Sequence, residues 1–157
     1  MICPAARAGE ETVPELTFET AQPGDAEEIF RFARELILRY EDLSQVDCSR
    51  VLAWVRRKIE GSIRQYVCVY LQGEKAAYYR FHACDGMMEL DDLYVLPQFR
   101  NRKIGTAILQ KCCAETDLPV FLYVFAANTG AVALYRRMGF RIAETVGRTR
   151  YIMRRDP

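Results

Sequence analysis

The chain has 157 residues, half of them apolar and 27% charged, with nine Tyr, eight Phe and one Trp, which is enough for one domain with a real core and excludes disordered, collagen-like and coiled-coil classes. Twenty-two basic and 21 acidic residues leave a net charge of +1, so there is no global case for nucleic acid or an anionic membrane. Six cysteines without CxxC spacing and a single histidine, His82, predict no metal, and with no long apolar run or basic-then-apolar leader the expectation is a cytoplasmic chain with free thiols.

Residues 1–14 lack periodicity and are expected to form a flexible tail, leaving 15–157 as a single domain. Leu16, Phe18 and Thr20 alternate with polar residues as a first strand, stopped by Gln22-Pro23-Gly24. Asp25 with Glu28 makes a capping-box pattern, and Ile29, Phe30, Ala33, Leu36, Ile37 and Tyr40 follow at helical spacing. A second helix, capped by Ser49, carries Val51, Leu52, Val55 and Ile59 and stops at Gly61. Tyr66 to Leu71 and Lys75 to His82 read as a hairpin around Gln72-Gly73-Glu74, and Met87 to Leu96 as the next strand after Asp85-Gly86. A helix over 104–115, a strand over 119–125, a helix over 129–138 and two short strands, 141–145 and 149–154, complete the chain. Strands and helices mixed in this order predict an α+β or mixed α/β sheet covered by helices.

The segment from Leu93 to Thr106 joins a strand to a helix start through a basic loop containing Arg100, Arg102 and Lys103. First-turn amides of a helix lack internal partners and point outward, so an anion placed there meets donors and the positive dipole end together. Neither a Walker loop nor a dinucleotide Gly-x-Gly-x-x-Gly is present.

Val95, Pro97, Arg100 and Gly105 match Val-x-Pro-x-x-Arg/Gln-x-x-Gly-x-Gly/Ala, and Asn128, Ala131, Leu134, Tyr135, Gly139 and Phe140 match Asn-x-x-Ala-x-x-Leu-Tyr-x-x-x-Gly-Phe. In these two ordered motifs the chain resembles the GNAT family of N-acetyltransferases over about residues 16–154. Ala21 and Asp25 add a weaker match, with Glu19 where the family often has Arg, and Lys103 stands where the family usually has the first glycine. The resemblance implies a mixed, mostly antiparallel sheet splayed between strands 4 and 5, with helices on both faces. It implies acetyl-CoA as cosubstrate, held by Leu93, Val95, Arg100, Asn101, Arg102, Lys103, Ile104, Gly105, Thr106, Asn128 and Tyr135. In that setting a side chain at position 103 must point away from the pyrophosphate or meet it as a cation. Tyr135 would protonate the departing thiolate, a phenol of pKa ~10 being protonated at neutral pH beside a thiol of pKa ~8.5.

Glu89 sits six residues before Val95, the spacing at which histone-acetylating members place a general base, with His82 as the rival. Asp91 and Asp92 are candidates for binding the acceptor's positive charge. Before Arg100 the chain has 11 basic and 17 acidic residues, and from there on 11 and four; the acidic part is expected to hold the acceptor side and the basic part the CoA side. The resulting expectation is direct acetyl transfer to a primary amine of a small molecule, protein or peptide, with a homodimer left open. Two alternatives stand beside it. One is a non-catalytic acyl-CoA-binding module. The other is an enzyme acting on an RNA-borne amine such as aminoacyl-tRNA, suggested by Arg136, Arg137, Arg141, Arg148, Arg150, Arg154 and Arg155.

Overall fold

Two short turns set the register of the first half of the sheet. In the computed structural model, which describes residues 14–157, Gln72 and Gly73 (φ 51° and 80°) and Asp85 and Gly86 (φ 48° and 76°) are consecutive left-handed pairs. That is the backbone of tight two-residue hairpins, whose twist matches the strands they join. They connect β2 (Tyr66–Leu71), β3 (Glu74–Cys84) and β4 (Met87–Val95) as an antiparallel meander, and β1 (Leu16–Thr20) pairs antiparallel with β2. After a crossover through α3 (Ile104–Ala114), β5 (Val120–Phe125) runs parallel to β4. β6 (Arg141–Val146) and β7 (Arg150–Arg155) close a seven-stranded sheet in the order β1-β2-β3-β4-β5-β7-β6. Residues 1–13 of the expected tail, Cys3 among them, lie outside the described residues.

Neighbouring residues of β3 show how the helices are layered, because successive side chains point to opposite faces. The Tyr78 ring lies 6.4 Å from Phe32 of α1 (Ala26–Tyr40), whereas Tyr79 meets Cys112 of α3. α2 (Cys48–Gly61) packs on α1, and α4 (Thr129–Arg137) lies against α3. Ile29, Ile59, Tyr66, Val69, Ile108, Leu109, Leu122 and Met153 are fully buried between these layers. Among the described residues no helix is long and apolar enough to cross a membrane.

Two helix starts differ from the sequence pattern. α2 is capped by Asp47, which accepts from the Arg50 amide at 3.2 Å, two residues before the expected Ser49. Asp25 and Glu28 form no capping box. Asp25 accepts from the Gln22 amide at 2.8 Å, closing the turn before α1, and both carboxylates take Lys75 of β3, at 2.7 and 3.2 Å. A lysine arriving from the sheet pairs two carboxylates at once, which a backbone amide at a cap cannot do.

The sheet is interrupted where it matters most for function. β4 and β5 pair only at Met88–Val120 and Glu89–Phe121 and then diverge, β4 running on to Val95 and β5 to Phe125 without a further bridge. Between Tyr78–Tyr94 and Arg80–Asp91 the β3–β4 register slips by a bulge, with Asp92 at φ 51°.

Ile108 anchors α3 to the sheet at 0% exposure. Ile108→Ala is expected to lower unfolding free energy by about 2–5 kcal/mol, and Leu118→Ala, at a site 44% exposed, by no more than about 0.5 kcal/mol; urea denaturation of both variants checks the contrast.

Candidate active site

Diverging strands leave a wedge, and beside the part of β4 that has left β5 lies a cavity of about 550 Å³. Leu93, Tyr94 and Val95 supply the β4 wall, the loop and first turn of α3 the floor, and α4 the opposite wall, with Leu36, Arg39 and Tyr40 of α1 over the mouth. Beyond Glu89 the β5-facing edge of β4 has no ladder partner. Apart from the Val95 carbonyl, which accepts from Arg100, its main-chain groups are therefore open to whatever enters the wedge.

The basic loop owes its shape to backbone conformation. Pro97–Phe99 form a single tight turn; Asn101 and Lys103 then adopt left-handed φ of 62° and 61° on either side of Arg102. Alternation of this kind turns successive amides to one side, a concavity suited to anions. Lys103 stands as the N-cap of α3, and Ala107 is the first residue whose amide reaches a helical acceptor, the Lys103 carbonyl at 3.0 Å. The amides of Ile104, Gly105 and Thr106 head the helix without that partner. Gly105 lies at a close approach: a Cβ there would come within 3.1 Å of the Leu134 side chain, which would have to give by a few tenths of an ångström, and 3.9 Å of Val95. Arg100 is held back from the loop. Its Nε donates to the Val95 carbonyl and one Nη to the Tyr94 hydroxyl, both at 3.2 Å, and Tyr94 in turn stacks on Phe32 at 4.5 Å.

Asn128 caps α4 by accepting from the Ala131 amide at 3.3 Å. The other end of this short helix closes in a Schellman turn, the Phe140 amide donating to the Tyr135 carbonyl and the Gly139 amide to Arg136, with Gly139 at φ 89°. The accompanying apolar contact is Tyr135 against Phe140, ring centroids 5.9 Å apart and edge-on. The Tyr-x-x-x-Gly-Phe pattern is thus a helix stop that locks the Tyr135 ring. Tyr135 is 7% exposed and lines the cavity, and burial pushes its phenol up to about 12. It stays protonated, and among the described residues nothing hydrogen-bonds its hydroxyl.

Of the residues expected at the site, Leu93, Val95, Arg100, Asn101, Lys103, Ile104, Gly105, Thr106, Asn128 and Tyr135 all line this cavity. Arg102 does not; its guanidinium lies over the Phe99 ring at 5.5 Å. Glu89, Asp91 and Asp92 lie further back on β4. Lys58 Nζ stands 3.1 Å from Asp91 and 3.1 Å from Asp92, and Arg80 3.3 Å from Asp91, so both aspartates have matched charges before any acceptor arrives. Glu89 faces His82 across the β3–β4 ladder, carboxylate to Nε2 at 3.2 Å. Nδ1 of His82 is 3.2 Å from the Ala83 carbonyl, which can only accept, so Nδ1 carries a hydrogen. A neutral ring then turns its Nε2 lone pair toward Glu89, and the two groups share a proton or repel. Burial first, then Asp91, pushes the Glu89 carboxyl above its ordinary range, against the pull of His82, Arg80 and Lys58.

His82, Glu89 and Asp91 also offer one metal-ligand atom each within 4.8 Å. Lys58 and Arg80 already occupy the Asp91 oxygen, and two cations at one ligand atom oppose a third. Sequence reasoning read Leu36 and Tyr40 only as helix periodicity and missed Arg39, as it missed the Lys58, Tyr66 and Arg80 partners of β4, for which the linear pattern carries no signal.

The sequence profile of the acetyltransferase (GNAT) family matches residues 28–140. An uncharacterized N-acetyltransferase of Methanocaldococcus jannaschii is 37% identical over 62 residues, 37% of this chain and 27% of that protein. The Bacillus subtilis spore coat polysaccharide biosynthesis protein SpsD is 26% identical over 141 residues, 83% of this chain and 49% of its own length. The chain spans about half or less of these curated relatives. Its fold is similar to that of the PaiA N-acetyltransferase of Thermoplasma acidophilum, solved in complex with coenzyme A, with a TM-score of 0.68 at 18% identity over 91% of this chain and 99% of the other.

The left-handed φ at position 103 makes a stability order testable. A non-glycine residue there carries about 1–2 kcal/mol of strain, which glycine relieves while adding unfolded-chain entropy. Lys103→Gly is therefore expected to lie within about 1 kcal/mol of wild type and Lys103→Val to be less stable than both. Thermal and urea unfolding read the order, and a valine variant as stable as wild type refutes the left-handed assignment.

Proposed function

Because the chain belongs to the acetyltransferase (GNAT) family, as an N-acetyltransferase by that membership, we propose that acetyl-CoA occupies the wedge and that its acetyl group passes directly to a primary amine of a small molecule, protein or peptide. The observation that carries this reading is the convergence on one cavity of the α3 first-turn amides, the unpaired edge of β4 and the Tyr135 hydroxyl. The pyrophosphate meets the amides of residues 104–106 and the turned backbone at 101–103, with Lys103 adding positive charge. The pantetheine arm runs between β4 and β5. A main-chain amide of the β4 edge donates to the thioester oxygen, where negative charge develops.

An ammonium cannot attack, so the amine first gives up a proton. Glu89 is the acceptor of that proton, its raised carboxyl and the adjoining His82 ring holding it as a pair. Leu93 is four residues further along β4, roughly 13 Å at the rise of an extended strand, so the proton travels through water. The amine nitrogen then bonds to the carbonyl carbon and loses its second proton to water, the carbon–sulfur bond breaks, and the thiolate leaves against the Tyr135 hydroxyl, which regains from water any proton it gives up. With a phenol raised to about 12, donation to a thiolate of pKa ~8.5 is a hydrogen bond that becomes proton transfer only late in the step. The acceptor meets Glu89 as its carboxylate, since Asp91 and Asp92 are already paired. Among the described residues Cys48, Cys68, Cys84, Cys112 and Cys113 are free, which fits a reducing cytoplasm.

Tyr135→Phe is expected to keep acetyl-CoA affinity by calorimetry and to lower turnover about tenfold to a hundredfold, the low end of general acid effects. Wild-type turnover in that variant reduces Tyr135 to a packing role. With an amine panel and thiol release as the assay, Glu89→Gln should remove the limb of the pH–rate profile that rises through the raised Glu89 range, activity recovering in part at high pH where free amine is abundant. If that limb survives Glu89→Gln and disappears in His82→Ala, the base is His82.

A further inference from the structure

Between α2 and the middle of β4 lies a charge network that none of the steps above uses. Lys58 is shared by Asp91 and Asp92 at 3.1 Å each, and the Tyr66 hydroxyl donates to the same Asp92 oxygen at 2.6 Å. Arg80 takes Asp91 at 3.3 Å and is itself held by Gln65, at 2.9 and 2.7 Å. These groups sit mostly out of water, the Lys58, Asp91, Asp92 and Arg80 side chains being 14 to 23% exposed. Burial raises the Tyr66 phenol far above its ordinary range, and Asp92 beside it raises it further, so Tyr66 remains a donor.

The place of the network in the sheet gives it a purpose. The network sits where the β3–β4 register slips: Asp91, opposite Arg80, is the last residue paired before the slip, and Asp92, the next, has the left-handed backbone of the bulge. A bulge inserts one residue and re-aims the strand that carries it. Upstream of it, β4 is bridged to β5 through Glu89; downstream, Leu93, Tyr94 and Val95 line the cavity. Tyr94, stacked between Phe32 and Tyr78, holds the register beyond the bulge. What that stacking leaves undetermined is the tilt of the peptides at the slip, and there Lys58 of α2 grips the side chains of Asp91 and Asp92 while Tyr66 of β2 grips that of Asp92.

We propose that Lys58, seconded by Tyr66, is a positioning residue for acyl transfer: by clamping Asp91 and Asp92 it holds the β4 bulge so that the free edge of the strand presents its amide to the thioester carbonyl. This rests on the reading that acetyl-CoA occupies the wedge, and it gives work to a lysine that touches neither cosubstrate nor acceptor. Arg80 balances the second carboxylate, so the clamp is neutral as a whole.

The test needs no acceptor. Acetyl-CoA labelled with ¹³C at the thioester carbonyl is bound to the protein; its carbonyl infrared stretch reports the hydrogen bond to that oxygen, and calorimetry reports affinity. In wild type the stretch should lie below that of free acetyl-CoA. Lys58→Met should move it at least halfway back while changing the dissociation constant less than threefold, and Lys58→Arg should restore the wild-type value, because a guanidinium also spans two carboxylates. A folded Lys58→Met variant with the wild-type stretch overturns the proposal, as does one in which affinity is lost along with the shift. Should Lys58→Met not fold, Tyr66→Phe, which deletes one hydroxyl, is read by the same criterion. Absence of acetyl-CoA binding in wild type instead overturns the underlying reading, whereas binding with an unshifted carbonyl overturns the clamp alone.

Discussion

Strands β4 and β5 hold together through two residue pairs and then part, and the cavity, its exposed strand edge and its helical walls all follow from that separation. A continued parallel ladder would pair the amides of β4 with carbonyls of β5 and leave no wedge. The structure keeps the strands apart by packing both flanks. On one side Tyr94 is stacked against Phe32 and Tyr78; on the other Val95 lies under the first turn of α3 at Gly105. The Tyr40 ring also stacks on Phe125 at 5.7 Å, and Thr149 donates to Glu41 at 2.8 Å, tying the end of α1 to β5 and to the β6–β7 turn. The open end of the wedge is thereby roofed.

Charge is managed in the same economical way. The acidic half of the chain does not present a bare field to solvent: Asp91 and Asp92 are matched by Lys58 and Arg80, and Asp25 and Glu28 by Lys75. Taking one partner from a buried pair typically costs about 3–5 kcal/mol, because the other charge is stranded. Glu89 differs in having His82 for its nearest partner in place of a lysine or arginine, and burial, then Asp91, holds its carboxyl above the ordinary range. In the basic half, Arg141 and Arg154 both pair with Asp156, so part of that positive charge is likewise internal.

The two family motifs translate into backbone geometry. Gly105 is a close approach, Gly139 a left-handed helix stop, Asn128 a helix cap, and the pair Tyr135 and Phe140 the apolar contact that completes the stop. Lys103 shows that the left-handed conformation belongs to the loop rather than to glycine: the lysine adopts φ 61° to keep α3 starting where it does. A motif read in this way tolerates a departure at one position as long as the amides still turn inward.

Elements were legible in the sequence because their causes are local. Alternation, helical spacing and the Gln72-Gly73 and Asp85-Gly86 turns act within a few residues, and all seven strands and four helices lie where those patterns place them, to within a few residues at the ends. The cavity-lining residues were legible through the motifs, which record a shape that adjacent residues make together. What only the tertiary structure decided involves partners distant in the chain: Lys58 with Asp91 and Asp92, Lys75 with Asp25, Glu41 with Thr149, and His82 with Glu89. One cap was settled this way, since Asp25 was taken by a lysine 50 residues on. The physical reason is that a charged side chain pairs with whatever the tertiary fold brings within about 4 Å, and the bulge at Asp92 shifts the register of β4 against β3 for the residues that follow it.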